Sequence, residues 1–239
     1  MNFEIESLRI WLAWLKTDHA RLPCKMRLAL QYPAWRRSLE SGRSPLTDAV
    51  LWINFGASFF IESVLAPEWI VYEFGSGGST LFYSKRVKRV FCVEHDTGWF
   101  ERVKTELTRR GLTNCDCRLI PPELSTFPHV DPENPTDYGS SDENYKGYTF
   151  RRYASSIDSF PDGFFDLVSI DGRARPSCIY HAHRKVTVGG YLMLDNSNRP
   201  EYQRARELIS GWDKHEFSGP VPYQNTFSET CIWRRPDLI

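Results

Sequence analysis

Four carboxylates, one amide and a glycine-rich turn carry the chemistry that this chain offers. Glu73 stands two residues before Gly75-Ser76-Gly77-Gly78, and Glu94 closes the apolar run Val90 to Val93. Farther along, Asp171 follows Phe165 to Ile170 and precedes Gly172, while Asp195-Asn196 follow Tyr191 to Leu194. Glu94, Asp171 and Asp195 each end an apolar, strand-like run. In a parallel sheet such ends fall on one edge, where open α/β folds bind ligands. Glycine in the turn tolerates positive φ and lets a ligand approach the backbone, and the N–H groups of the following helix offer hydrogen bonds. The pattern describes a nucleotide-type pocket.

The acids bear on which nucleotide. A dinucleotide fingerprint requires G-x-G-x-x-G, and the sixth position counted from Gly75 is Thr80. A charged Glu73 would oppose a pyrophosphate but would attract the cationic amino-acid end of S-adenosylmethionine. Glu94 is placed to accept hydrogen bonds from ribose hydroxyls. On Glu73, the glycine turn and Glu94, residues 65–235 resemble the class I S-adenosylmethionine-dependent methyltransferases. The resemblance implies a three-layer, Rossmann-like α/β fold with a seven-stranded, mostly parallel sheet and a C-terminal antiparallel hairpin. It also implies a cofactor set of Glu73, Gly75, Ser76, Gly77, Glu94 and His95, with Asp171 at the reaction centre.

An acid ending the fourth strand, then Asp-Asn ending the fifth about two dozen residues later, is similar to the divalent-metal catechol and caffeoyl-coenzyme A O-methyltransferases. That similarity implies Asp171, Asp195 and Asn196 as ligands of Mg²⁺, a hard all-oxygen set suited to such an ion. The metal would lower the pKa of an acceptor hydroxyl and hold its oxygen in line with the sulfonium methyl. Where that family has a lysine soon after the first aspartate, this chain has Arg173 and Arg175. Arginine stays protonated in proteins, so neither is a general base. Asp195-Asn196 has a second reading, as a polar strand end capping a helix that starts near Pro200. His181 is a base only if its helix face turns inward.

Composition narrows the partners. Thirty basic and thirty acidic residues cancel, so no global field recruits nucleic acid or an anionic membrane surface. The six cysteines contain no C-x-x-C pair and read as reduced thiols of a cytoplasmic protein. No secretory signal is evident, and the charge-free run Ala49 to Ile61, thirteen residues long, falls short of the roughly 20 needed to span a bilayer.

The elements that position these residues follow from periodicity. Residues 1–65 read as an N-terminal helical extension and 66–239 as the cofactor-binding domain, with an irregular insert at 121–156. Phe3, Leu8, Trp11, Trp14 and Leu15 share one helix face. A second helix starts at Ser44-Pro45 and carries Leu46, Val50, Ile53, Ala57, Phe60, Ile61 and Val64 at spacings of three and four. The basic stretch between them, residues 21–43, reads as a solvated connector or as a surface for an anionic substrate. Trp11, Trp14 and Trp52 would suit a homodimer interface or packing within the chain. Gly98 to Arg110 reads as a helix with Phe100, Val103 and Leu107 inward. Five of the fifteen prolines fall between 121 and 135, and 131–143 holds five acids and no base, which reads as an active-site flap or a surface loop. Pro176 to Val186 and Glu201 to Trp212 read as helices.

The expected function is S-adenosylmethionine-dependent O-methylation of a small hydroxylated molecule or glycan precursor, with a nucleic-acid acceptor disfavoured. An NAD(P)-dependent oxidoreductase and a non-catalytic adenosyl-binding protein are the alternatives.

Overall fold

The computed structural model describes residues 22–126 and 130–237 together with residue 9, and the backbone alone over 22–29. The helix face expected at Phe3 to Leu15 lies outside them. Along the described chain the strands are β1 (Ile70–Phe74), β2 (Arg89–Glu94), β3 (Cys115–Leu119), β4 (Glu123–Leu124), β5 (Tyr148–Thr149), β6 (Phe165–Ile170), β7 (Val186–Asp195), β8 (Asp213–Pro220) and β9 (Phe227–Arg234). The helices are α1 (Leu22–Ser38), α2 (Pro45–Asp48), α3 (Phe55–Val64), α4 (Gly78–Ser84), α5 (Thr97–Arg109), α6 (Arg151–Ala154), α7 (Arg175–Ala182) and α8 (Gln203–Arg206).

Seven strands form one sheet in the order β3-β2-β1-β6-β7-β9-β8. All neighbours are parallel except β9, which runs antiparallel to both β7 and β8. The order reverses outward from β1 and β6, so the carboxyl ends of those strands flank a natural crevice. β1 lies inside the sheet, covered on both faces, and this explains why residues 71–74 are all buried, Glu73 included, rather than alternately exposed. Tyr72, Phe74, Val168 and Ile170 face one layer, with α7 and residues 150–157. Val71, Val90, Leu167 and Met193 face the other, with Leu51, Ile53, Ala57, Ile61, Phe82 and Tyr83.

Several expected elements take a different course. The single helix expected over 45–64 is two, because Ala49 adopts a left-handed conformation (φ 54°) and Asn54 opens a new helix by accepting the Ala57 N–H at 3.0 Å. Its stripe survives the break, with Leu46, Ile53, Ala57 and Ile61 all buried. The basic connector is largely the helix α1, and its Arg43 pairs with Asp48 at 2.7 Å. β7 begins at Val186, where a helix end was expected. The helix expected over 201–212 is a short α-helical turn between two 3₁₀ turns. The six cysteines are not all reduced: parallel pairing sets Cys92 of β2 opposite Cys117 of β3, and these two form a disulfide.

The insert is docked by its aromatic end. Phe150, Tyr153 and Ile157 are buried in the core, and at roughly 1.5–3 kcal/mol per large apolar side chain this anchor is substantial. Arg173 adds an ion pair to Asp142 at 2.8 Å, and His181 bridges Asp158 at 2.8 Å and the Tyr138 hydroxyl at 3.3 Å. His181 therefore fastens the insert and does not line the 540 Å³ cavity at the carboxyl ends of β1, β2 and β6. No helix among the described residues is long and apolar enough to cross a membrane.

Candidate active site

The turn after β1 owes its glycines to different constraints. Gly75 has φ +93°, and a Cβ there would stand 2.8 Å from Gly172 Cα. At Gly78 a Cβ would overlap the Pro45 carbonyl. Gly77 is unlike both: a Cβ would meet nothing closer than 3.9 Å, at Ser79 and the Trp99 ring, and the residue opens onto a cavity of 540 Å³. Two of the glycines thus serve packing, and one leaves room for a ligand.

Glu73 does not reach the cavity wall. It is buried beneath the turn and accepts a 2.6 Å hydrogen bond from the Thr80 hydroxyl, which in turn accepts the Gly77 N–H at 2.9 Å. Burial pushes its carboxyl up to about 8, outweighing the Thr80 bond. At neutral pH it is protonated, which corrects the expectation of a charged side chain drawing in a cation. Its structural link is to the turn, through Thr80.

Glu94 does line the cavity, with its carboxylate in use. Oε2 accepts from the Ser76 N–H and hydroxyl, both at 2.9 Å, and Oε1 accepts from the N–H groups of His95 at 2.7 Å and Asp96 at 2.9 Å. A carboxylate has about four acceptor positions, and four donors fill them. Burial alone would raise its pKa, but His95 and these donors hold it below the ordinary value. His95 lies with Nδ1 2.8 Å from Oε1 and its ring against Tyr145 of the insert, 5.3 Å between centroids.

Asp171, Asp195 and Asn196 come together as expected, around a cation the chain itself provides. Arg175, in the first turn of α7, is i+4 to Asp171 and donates to its Oδ1 at 2.9 Å. The same guanidinium donates to Asn196 Oδ1 at 3.3 Å, to the Gly172 carbonyl at 3.0 Å and, in a short contact, to the Asp195 carbonyl. Asp195 Oδ1 accepts from Thr230 at 2.7 Å. The expected Mg²⁺ ligand set does not fit, because the guanidinium fills the place between these oxygens. Burial and the adjacent Asp195 raise the Asp171 pKa against the pull of Arg175, and burial raises that of Asp195 too. Among the described residues, Glu216, Glu229 and Cys231 bring three potential ligand atoms within mutual reach, but none of the three lines the cavity.

The cavity therefore has two halves: Gly75 to Ser79, Glu94 and His95 on one side, and Asp171, Arg175, Asp195 and Asn196 on the other. Of the expected site residues only Glu73 is missing from its wall. Residues not read from the sequence complete it. Trp99 donates its indole N–H to the Ser76 carbonyl at 2.6 Å, and its position in the first turn after an acid-ended strand was an available signal. The i, i+4 spacing of Asp171 and Arg175 was another. Trp52, Arg199 and Thr226 arrive from distant segments with no local signal.

No protein-family profile matches the chain, and no curated protein matches it. Solved structures do. A methyltransferase from Geobacter sulfurreducens superposes over 87% of this chain and 96% of its own, at 12% identity and a TM-score of 0.51. TrmN from Thermus thermophilus covers 75% of this chain and 48% of its own, at 13% identity and a TM-score of 0.50. The chain has the class I S-adenosylmethionine-dependent methyltransferase fold, as the resemblance in its sequence implied.

Proposed function

We propose that this chain is an S-adenosylmethionine-dependent methyltransferase that methylates a hydroxyl group of a small molecule or glycan precursor. The observation that carries the reading is a single 540 Å³ cavity joining the open Gly77 and the Glu94 strand end to the Asp171–Arg175–Asp195 group. That volume lies within the range of cofactor and ligand pockets, about 300–1,000 Å³. In this reading residues 66–239 form the catalytic domain and 1–65 are appended to it.

The cofactor, when bound, supplies an electrophilic methyl group on a sulfonium. Gly75, Ser76 and Gly77, with Trp99 and His95 on the same wall of the cavity, would hold it. Rotation of the Ser76 hydroxyl away from Glu94 Oε2 frees an acceptor for a ribose hydroxyl. Asp171 would take the proton of the acceptor hydroxyl as that oxygen displaced the sulfur from the methyl carbon, the S–C bond breaking with its electron pair to leave neutral S-adenosylhomocysteine. Its raised pKa suits a base acting near neutrality, and Arg175 fixes its orientation. No step passes through a metal.

The test is calorimetric titration of S-adenosylhomocysteine into the wild-type chain and into Gly77→Leu, which fills the open side of the turn where a Cβ is tolerated. Micromolar binding that Gly77→Leu abolishes, with unchanged melting temperature, is expected. Absence of binding to the wild type refutes the assignment. Binding without turnover on any hydroxylated acceptor returns the non-catalytic adenosyl-binding reading.

A further inference from the structure

Beside the acceptor half of the main cavity lies a second, smaller one of 50 Å³, bounded by Ser140 and Ser141 of the insert, Arg173, Arg175, Arg199 and Tyr202, with Glu201 as its one acidic neighbour. Gly172, Arg173, Arg175 and Arg199 line both cavities, so the small one opens as a side chamber of the large. A single water needs roughly 15 Å³ measured this way, so the chamber holds a group of several heavy atoms. Its charges are unequal in use. Arg175 is committed to Asp171 and the strand-end carbonyls, and Arg173 is paired with Asp142. Arg199 is exposed, its one side-chain hydrogen bond among the described residues is a 3.3 Å contact to the Tyr202 hydroxyl, and it forms no ion pair among them, lying only within the field of Asp171 and Asp195. The Ser140 hydroxyl accepts the Asp142 N–H at 3.2 Å and keeps its own proton to donate.

The geometry points to an oxyanion subsite for the acceptor, with Arg199 as its anchor and a phosphate ester of a small hydroxylated molecule as the class of acceptor. This deepens the methyltransferase reading and rests on it for the word acceptor. A guanidinium recognises a phosphate through paired N–H donors, and the serine hydroxyls complete the tetrahedral set. A nucleic-acid phosphate is disfavoured by the neutral net charge of the chain and by the small size of the chamber.

The experiment titrates inorganic phosphate into the full chain, with and without S-adenosylhomocysteine, and repeats it on Arg199→Gln. Saturable millimolar binding that Arg199→Gln weakens at least tenfold, with S-adenosylhomocysteine affinity changed less than twofold, is the expected result. Phosphate binding that is absent, or equal in the variant, overturns the subsite. Tighter binding of a single-stranded RNA than of phosphate, lost in Arg199→Gln, overturns the small-molecule class. Failure of S-adenosylhomocysteine to bind beside Arg199-dependent phosphate binding refutes the methyltransferase reading while the anion subsite stands.

Discussion

The two halves of the cavity solve the problem of a buried carboxylate in opposite ways. Glu94 is held by the His95 side chain and by donors from its own turn and the turn beside it, and its pKa falls. Burial and the adjacent Asp195 raise the proton affinity of Asp171, burial raises that of Asp195, and Arg175 offsets this only in part. Backbone donors keep a carboxylate charged and fixed, as a binding surface needs. Crowded acids under one cation keep a proton exchangeable, as acid–base chemistry needs.

Breaking the second arrangement has the largest expected effect. Arg175→Met leaves the buried Asp195 and the partly exposed Asp171 without their cation and is expected to cost about 3 kcal/mol. Denaturant unfolding at pH 8 measures it, and the loss should shrink at pH 5, where the pair is more protonated. Asp171→Asn keeps the volume and removes the base, so turnover should drop about 10³-fold while S-adenosylhomocysteine affinity, read by calorimetry, holds. Equal turnover in the variant would remove Asp171 from the chemistry.

The cofactor half is sharpened through Glu73. Its folded-state pKa of about 8 lies above the ordinary 4.5, so its contribution to stability is full below about 4.5 and is lost as pH rises through about 8. Glu73→Gln, which cannot ionise, should therefore gain stability relative to wild type at pH 9, by up to about 5 kcal/mol, and gain nothing at pH 4. Melting temperatures across that range test it, and parallel curves would show that Glu73 is not the group responsible. The smallest expected effect is none at all: EDTA and added Mg²⁺ should leave turnover unchanged, because Arg175 fills the place of the ion. Activity that EDTA abolishes and Mg²⁺ restores would show that the guanidinium moves aside.

The contrast also explains how much was legible in the sequence. Glu94, the glycine turn and the strand-end acids were readable because each is a local pattern, an acid or a glycine directly after an apolar run, and local patterns at strand ends converge once the sheet is parallel. The seven-stranded, mostly parallel sheet and the closing hairpin followed from the resemblance. The break at Ala49 was not readable, since it depends on a left-handed conformation that alanine seldom adopts. The Cys92–Cys117 bond required knowing that β2 and β3 are neighbours in that register. The charge state of Glu73 was misread because the sequence shows an acid near a turn and not the layer of protein above it. The metal set was misread for a similar reason: oxygen ligands are visible in the sequence, but the arginine filling the space among them is visible only as a spacing.

The contact between Gly75 and Gly172 has a mechanical consequence. A Cβ on Gly75 would stand 2.8 Å from Gly172 Cα, and one on Gly172 would overlap the Tyr153 hydroxyl. The cofactor turn and the acid-bearing loop therefore stand back to back, with a core tyrosine wedged behind them, and the Asp171 N–H donating to the Phe74 carbonyl at 3.1 Å ties one to the other. Strand ends make up the stationary jaw of this cleft. The opposite side lacks that tie: there Trp52, Arg199 and residues 221–226 of the hairpin stand on loops.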